Sequence, residues 1–497
     1  MVAIAYDTFY PHLRKEDLPA WRDLLGRLLA AHLLTAREHH WNCTAIANVN
    51  ALCNGGGGLA ALALLKENPD APESLYLARK LIRQYVDYCY GADGGCTEGA
   101  QYWEYGGTAF LRFACAMETA IGTDDGLLSL PQVTRGINNV RAGLCNDGKL
   151  SGINDTIPMP MGSEIAWFLA GRFNDPFALW YADKALDVMD GMTSRGKAVA
   201  YGPSAIFALL FRPDVPRMDR QPPLPPAIVL RDIQVSMIRS GTNYDCTWTA
   251  GLKGSRPPYT HHNQPDTGAY FIDLRGERLL IDPGYYKDKP TDHSLPIIGG
   301  DAPAQPRSTT GLITDCEALG DLRLLVCDST AAYRGAARRV ARHLVMVGEE
   351  GLILLDDIVA ADNGAKVLAQ YQAGGPTGDS GAGRRITVQG DKARLRLEVL
   401  TRPGLSLRLQ PERSLHDIRW GYHFAECRFF PVTGEYAVDE MDPLVTVFTD
   451  EAARRPGPSQ LTRQANELTV TMPSGRKVVF AYFDGRWRLD RQKSETR

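Results

Sequence analysis

Residues 212–226 read RPDVPRMDRQPPLPP, and the chain changes character on either side of them. Proline removes a backbone N–H and fixes φ, so a segment this rich in it cannot continue a helix and is predicted to be an extended linker. On its N-terminal side apolar residues recur at helical spacing over residues 19–36, 44–66, 74–91, 100–121, 126–143, 163–172, 176–191 and 202–211. Between them lie turn-rich pieces, GADGGCTEG (91–99) and CNDGKLSGINDTIPMPMG (145–162), long enough to shape one rim of a helical array. On the C-terminal side the texture becomes short alternating runs, among them IQVSMIRS (233–240), GAYFIDL (268–274), HLVMVGEEGLILLDDIV (343–359) and ELTVTMPSGRKVVFAYF (467–483). Helices followed by strands exclude a doubly wound α/β fold and predict an α+β multidomain protein. Its expected parts are a helical domain over 1–211, a linker over 212–226 and an antiparallel β-sandwich of two large sheets over 227–497.

Composition supports a folded protein with more than one core. The chain has 497 residues, 44% hydrophobic and 23% charged. A net charge of −3 argues against a broad basic face for nucleic acid, so a polyanionic ligand would be held locally. No apolar run is long enough to span a membrane. The first residues, MVAIAYDTFYPHLRKEDLPAW, include acidic side chains and no uninterrupted apolar stretch, so they are not read as a signal peptide. A removed leader would leave no trace, and the compartment stays open between cytoplasmic and periplasmic or secreted. The ten cysteines lack CxxC pairing and suggest neither a zinc ribbon nor a disulfide framework.

Three clusters carry residues suited to chemistry. HHWNCTAIANVNALCNGGGGLAALALL (39–65) ends as an apolar helix but contains Asn42, Asn48, Asn50, Asn54 and the glycines 55–58, all weak helix formers. Either the amides cap and the glycines permit close packing, or the segment serves a site. DGGCTEGAQYWEYGG (93–107) sets Tyr102 and Tyr105 three apart, on one face of a helical turn that follows a glycine-rich loop. Such aromatics are commonly core, but a phenol lining a cleft can donate or accept a proton. YTHHNQPDTGAYFIDLRGERLLIDPG (259–284) gathers two histidines, two amides and a carboxylate before a strand, a set that is costly to bury without a task.

Together the three clusters resemble the heparinase II/III superfamily of polysaccharide lyases, closest to heparinase III. HHNQPDTGAYFIDLRGERLLIDPG is similar to the family's H-x-(H/Q)-x-D-x-G-x-F segment followed by a strand ending in D-x-G. The 93–107 cluster resembles E-G-x-x-Y-x-x-Y-G, and VNALCNGGGGLAALAL resembles W-N-x-V-C-(N/H)-G-G, with Val49 where the family shows Trp. The resemblance implies an (α/α) toroid plus a β-sandwich with the active site in the groove between them, acting on glycosaminoglycan or alginate-like chains. It implies Asn54 as the amide that neutralises the uronate carboxylate, with Asn48 or Asn50 as alternatives of register. Tyr105 would be the catalytic tyrosine, with Tyr102 as alternate, and His262 the catalytic histidine. His40, Asn42, Asn50, Tyr102, Trp103 and His261 are the expected substrate contacts. The chemistry itself needs no cofactor. Gln264 stands where metal-bearing members carry a second histidine, so a structural divalent cation would draw on Gln264, Asp282 and His343.

The proton on C5 of a uronate is only weakly acidic while the neighbouring carboxylate keeps its charge. Hydrogen-bond donors must therefore stabilise the developing enediolate before a base takes C5–H and an acid protonates O4. Arg338, Arg339 and Arg342 are candidates for sulfate or carboxylate contacts, or else a solvated strand edge. The expected partner is thus an anionic polysaccharide. The competing readings are a toroidal glycoside hydrolase using Glu98 and Glu104 as its acid and base, and a non-catalytic glycan-binding protein.

Overall fold

Most of the sequence periods find their elements in the computed structural model, which describes residues 1–193, 210–256, 261–285, 289–301, 309–362, 364–401, 404–415, 427–453 and 458–494. The helix expected over 202–211 lies almost wholly outside these residues. By packing, the chain divides into one unit of Met1–Val140 with Pro160–Pro222, and another of Arg141–Met159 with Pro223–Arg497. The division falls inside the Pro-rich segment, between Pro222 and Pro223.

The first unit is helical. Its long helices are Leu18–Arg37, Asn48–Ala63, Ala71–Cys89, Ala100–Ile121, Ser163–Phe173 and Pro176–Thr193, joined by an N-terminal helix, Val2–Phe9, that periodicity alone did not indicate. Pro72 opens Ala71–Cys89 where its missing N–H is not needed, and Gly122 closes Ala100–Ile121 in the left-handed conformation, φ 77°. The single helix expected over 126–143 is instead a 3-10 turn, Leu127–Ser129, and two short helices, Pro131–Thr134 and Asn138–Arg141. Pro131 cannot donate within a longer helix, and the segment ends up punctuated rather than continuous.

The glycine run in Asn48–Ala63 has a packing explanation. A Cβ on Gly57 would lie 2.2 Å from the His32 ring, one on Gly58 2.2 Å from the Phe113 ring, and one on Gly55 3.0 Å from the Ala109 carbonyl. Gly56 faces outward, and a Cβ there would meet nothing within 4 Å. Three of the four glycines therefore let neighbouring helices approach.

The second unit is antiparallel β. Among the described residues a ten-stranded sheet includes Val235–Arg239, Trp248–Lys253, Tyr270–Leu274 and Lys366–Ala373, and an eight-stranded sheet includes Leu322–Asp328, Ala337–Val347, Gly351–Ala360 and Leu444–Asp450. One core, with Trp248, Ile272, Leu344, Leu354 and Phe448, fills the space between them. A third, four-stranded sheet, Gln460–Gln464 to Arg486–Leu489, covers the outer face of the eight-stranded one. Its core joins Leu322, Ile353 and Leu355 to Leu468, Phe480 and Trp487. Side chains alternate across a strand, so Leu352 and Leu354 enter the first core while Ile353 and Leu355 enter the second. Burial on both faces is why residues 351–355 read as an unbroken apolar run.

Residues 141–159, placed by sequence in the helical domain, pack with the β unit. Ala142, Cys145 and Ile153 share a small core with Leu230, Met237 and Phe271. No helix among the described residues is long and apolar enough to cross a membrane.

The glycine geometry makes opposite predictions for adjacent positions. Gly58→Ala should destabilise the protein by about 1–3 kcal/mol through overpacking against Phe113. Gly56→Ala should stabilise it by roughly 1 kcal/mol through helix propensity. Denaturant unfolding of both variants reads the difference.

Candidate active site

Glu98 ties the first two clusters together. Its buried carboxylate accepts the Asn48 backbone N–H at 2.6 Å and the Asn48 side-chain amide at 3.1 Å. Asn48 also lies against Gly106, so the start of Asn48–Ala63 packs on the first turns of Ala100–Ile121. Asn54 is fully buried and its amide is committed to the fold. Nδ2 donates to the Cys43 carbonyl at 2.9 Å and to the Asn50 carbonyl and Oδ1, while Oδ1 faces His32 Nε2 at 3.1 Å. Asn50 is equally buried, but its Nδ2 has no hydrogen-bond partner. Of the three asparagines considered for one role, Asn50 alone has a side-chain amide nitrogen with no hydrogen-bond partner.

Along Ala100–Ile121 the aromatics divide by exposure. Tyr105 is 54% exposed and Tyr102 is buried beside it, their ring centroids 6.5 Å apart at 80°. Trp103, expected to contact substrate, is instead core, 2% exposed and packed on Gly162. Helical spacing explains this, since Trp103 is two residues, roughly 200°, around the helix from exposed Tyr105. Glu104 takes a hydrogen bond from the Gly162 backbone, and burial pushes its carboxyl up to about 7. His40 is exposed and caps the short helix Trp41–Thr44 by accepting the Asn42 N–H. The exposed aromatic in this stretch is Trp41, which the sequence reading passed over; its ring lies 6.2 Å from that of His40. Asn42 is half-buried, with Oδ1 unpartnered.

In the β unit, His262 sits in a left-handed turn, φ 57°, beside His261. Asp155 holds His262 Nδ1 at 2.9 Å through Oδ2, and Gln264 Nε2 at 2.6 Å through Oδ1. The Asp155 N–H in turn donates to the His262 carbonyl at 3.3 Å. Gln264 Nε2 also reaches the Gly284 carbonyl at 2.7 Å, joining both ends of the third cluster. Asp155 was not a sequence candidate, because nothing local marks an aspartate that pairs 107 residues away. A carboxylate on one ring nitrogen fixes the tautomer and orients the ring, an arrangement that proton-transfer histidines also use.

Beneath this loop Asp266, Asp282 and His293, all buried, bring their ligand atoms within 4.8 Å of one another. His293 Nδ1 lies 3.1 Å from Asp282 Oδ2, and buried Lys253 extends its ammonium to Asp266 and, at 2.6 Å, to Asn263.

This architecture has solved counterparts. A mutant of the heparan sulfate lyase HepC from Pedobacter heparinus matches 95% of this chain and 69% of its own length, at TM-score 0.62 and 12% identity. A heparinase III with methylated lysines matches 96% of this chain and 71% of its own, at TM-score 0.64 and 14% identity. The chain has the heparinase III fold. No family model and no curated protein sequence matches it.

Within the heparinase III fold the cation set expected from sequence does not assemble. Gln264 spends only its Nε2 on Asp155 and Gly284, leaving Oε1 without a partner, and it is His343 that falls away, on strand Ala337–Val347 in the sheet that does not carry Asp282's neighbours. The converging set, Asp266, Asp282 and His293, has the donors of a cation site, but Lys253 already places positive charge on Asp266. The ammonium takes only Oδ1 of Asp266, whose Oδ2 has no hydrogen-bond partner, so these three residues would hold a divalent ion only beside a fixed positive charge. The arginines are also structural. Arg342 is buried, bidentate to Asp356 and bonded to the Gly268 and Ser294 carbonyls, and Arg339 pairs with Asp357 at 2.8 Å. Arg338 is the exposed one of the three.

Removing one partner of a buried pair strands the other, so Lys253→Met should cost roughly 3–5 kcal/mol of stability. Burial already raises the Asp266 carboxyl, and without Lys253 it rises further. A carboxyl with a raised folded-state pKa costs nothing while both states are protonated and destabilises as pH climbs past the unfolded value. The deficit should therefore grow from pH 4 to pH 8 in parallel unfolding curves.

Proposed function

We propose that this protein is a polysaccharide lyase that cleaves a uronate-containing anionic glycan by β-elimination. The observation that carries the reading is the Asp155–His262 pair, on a heparinase III fold whose helical unit presents Tyr105 to solvent. A histidine in a bland surface turn would not need a buried carboxylate behind it, and that carboxylate is itself held by a second bond, from Gln264.

The roles follow from proton chemistry. His262 takes the C5 proton through Nε2 while Asp155 stabilises the imidazolium that forms. The C5–H electrons form the C4–C5 double bond, the C4–O4 bond breaks, and the Tyr105 hydroxyl donates its proton to the departing oxygen. Asn50 supplies the amide donor that the enediolate requires, since its Nδ2 has no partner whereas Asn54 is fully committed and Asn48 is held by Glu98. Its burial means the side chain must rotate to meet a carboxylate. Trp41 and His40 offer an aromatic face and a polar edge for sugar rings. The hydrolase alternative loses Glu98, whose buried carboxylate is clamped on Asn48.

The test is ultraviolet absorbance of the unsaturated uronate end on heparan sulfate, chondroitin, hyaluronan and alginate, with full-length variants. Tyr105→Phe and His262→Ala should each lower kcat by about 10²–10⁴ on a susceptible glycan. Asn50→Ala should lower kcat by about 10²–10³ with little change in KM. Asn54→Ala should act first on thermal stability, because it breaks buried hydrogen bonds. Normal rates for Tyr105→Phe and His262→Ala would reject the mechanism.

A further inference from the structure

His343 poses a question of its own. It stands opposite Val326 on one neighbouring strand and Leu355 on the other. Side chains directly opposite in antiparallel strands share a face, here the face that packs on the four-stranded sheet. An apolar residue would suit that row. The imidazole is instead 5% exposed, with no hydrogen-bond partner on either ring nitrogen. Buried polar groups are rarely left in that state without a purpose, since each costs free energy. Burial pulls its pKa down to about 4, so at neutral pH the ring offers one N–H donor and one acceptor.

His343 lines a cleft of about 650 Å³ within the β unit. The eight-stranded sheet contributes Asp315 and Asp357, and the chain's last strand and the residues after it contribute Arg486, Arg488 and Arg491. Arg491 pairs with Glu317 at 2.8 Å and Asp357 with Arg339, but Arg488 has no ion pair among the described residues. This lining selects by exclusion. A sulfate is an acceptor only, a phosphate nearly so, and either would meet the carboxylates of Asp315 and Asp357. A metal cation would meet three guanidinium groups, and His343 is not in the one metal-like cluster found among the described residues. A hydroxyl both donates and accepts, and vicinal hydroxyls can use carboxylate, guanidinium and neutral imidazole together. The volume lies within the roughly 300–1,000 Å³ of small-ligand sites.

We infer that this cleft is a separate binding site for a short saccharide, with the His343 imidazole at its floor and Arg488 at its mouth. The inference stands apart from the proposed lyase activity, since it uses none of the same side chains. It would let the β unit hold a glycan end away from the residues that cut it.

The test uses the full chain carrying Tyr105→Phe, so that glycan is not consumed, with maltotriose and the hyaluronan disaccharide as probes. Calorimetry reads affinity, and nitrogen-15 spectra of the imidazoles read location. At least one saccharide should shift the His343 ring resonances. His343→Phe and, separately, Arg488→Glu should weaken its binding about tenfold or more. Arg488 is exposed, so that variant keeps the test decisive should His343→Phe fail to fold. Saccharide binding unchanged in Arg488→Glu, no shift of His343 with either probe, or a response to sulfate or zinc instead would overturn the inference.

Discussion

Asp155 is the side chain on which the geometry of the His262 turn depends. One oxygen orients His262, the other holds Gln264, and Gln264 in turn reaches the carbonyl of Gly284. A single carboxylate therefore fixes a turn containing a left-handed histidine and the strand end that follows the motif. The position of Asp155 is itself secured by residues 141–159, which leave the helical run of sequence and pack their apolar side chains on the ten-stranded sheet's own core. Packing places the carboxylate, and the carboxylate places the imidazole.

The same unit handles its other buried charges by pairing them within the fold. Arg342 answers Asp356, Lys253 answers Asp266, and His293 lies against Asp282. Such pairs gain Coulomb energy in a low dielectric but pay desolvation, and they fix geometry more than they add stability. His343 departs from this pattern, a buried polar ring beside an open cleft with nothing answering it. In the helical unit the corresponding clamp is Glu98 on Asn48, which holds two helix starts together and leaves Tyr105 facing solvent.

Much of this was legible in the sequence because it rests on period and punctuation. Residues 212–226 marked the change of texture, Ala100–Ile121 appeared at its true bounds, and the alternating runs became strands. What stayed hidden depends on contacts distant in sequence. Asp155 looks like any loop aspartate until the fold carries it to His262. Lys253 lies in an ordinary strand and reveals itself only against Asp266. The third sheet was not separable by pattern, since residues 460–489 read as more of the same sandwich. Trp103 and Trp41 show the limit of composition: both are tryptophans beside a candidate motif, and only the fold buries one and exposes the other. His343 was grouped with Asp282 by residue type alone, and strand order separates them.

The most direct measurement is the mass of the products. Elimination moves a proton and breaks C4–O4 without taking up water, so the masses of the two fragments from a defined uronate oligosaccharide should sum to that of the substrate. The smaller mass defect should sit on a fragment that absorbs in the ultraviolet. Fragments that together exceed the substrate by one water would identify a hydrolase and contradict the account.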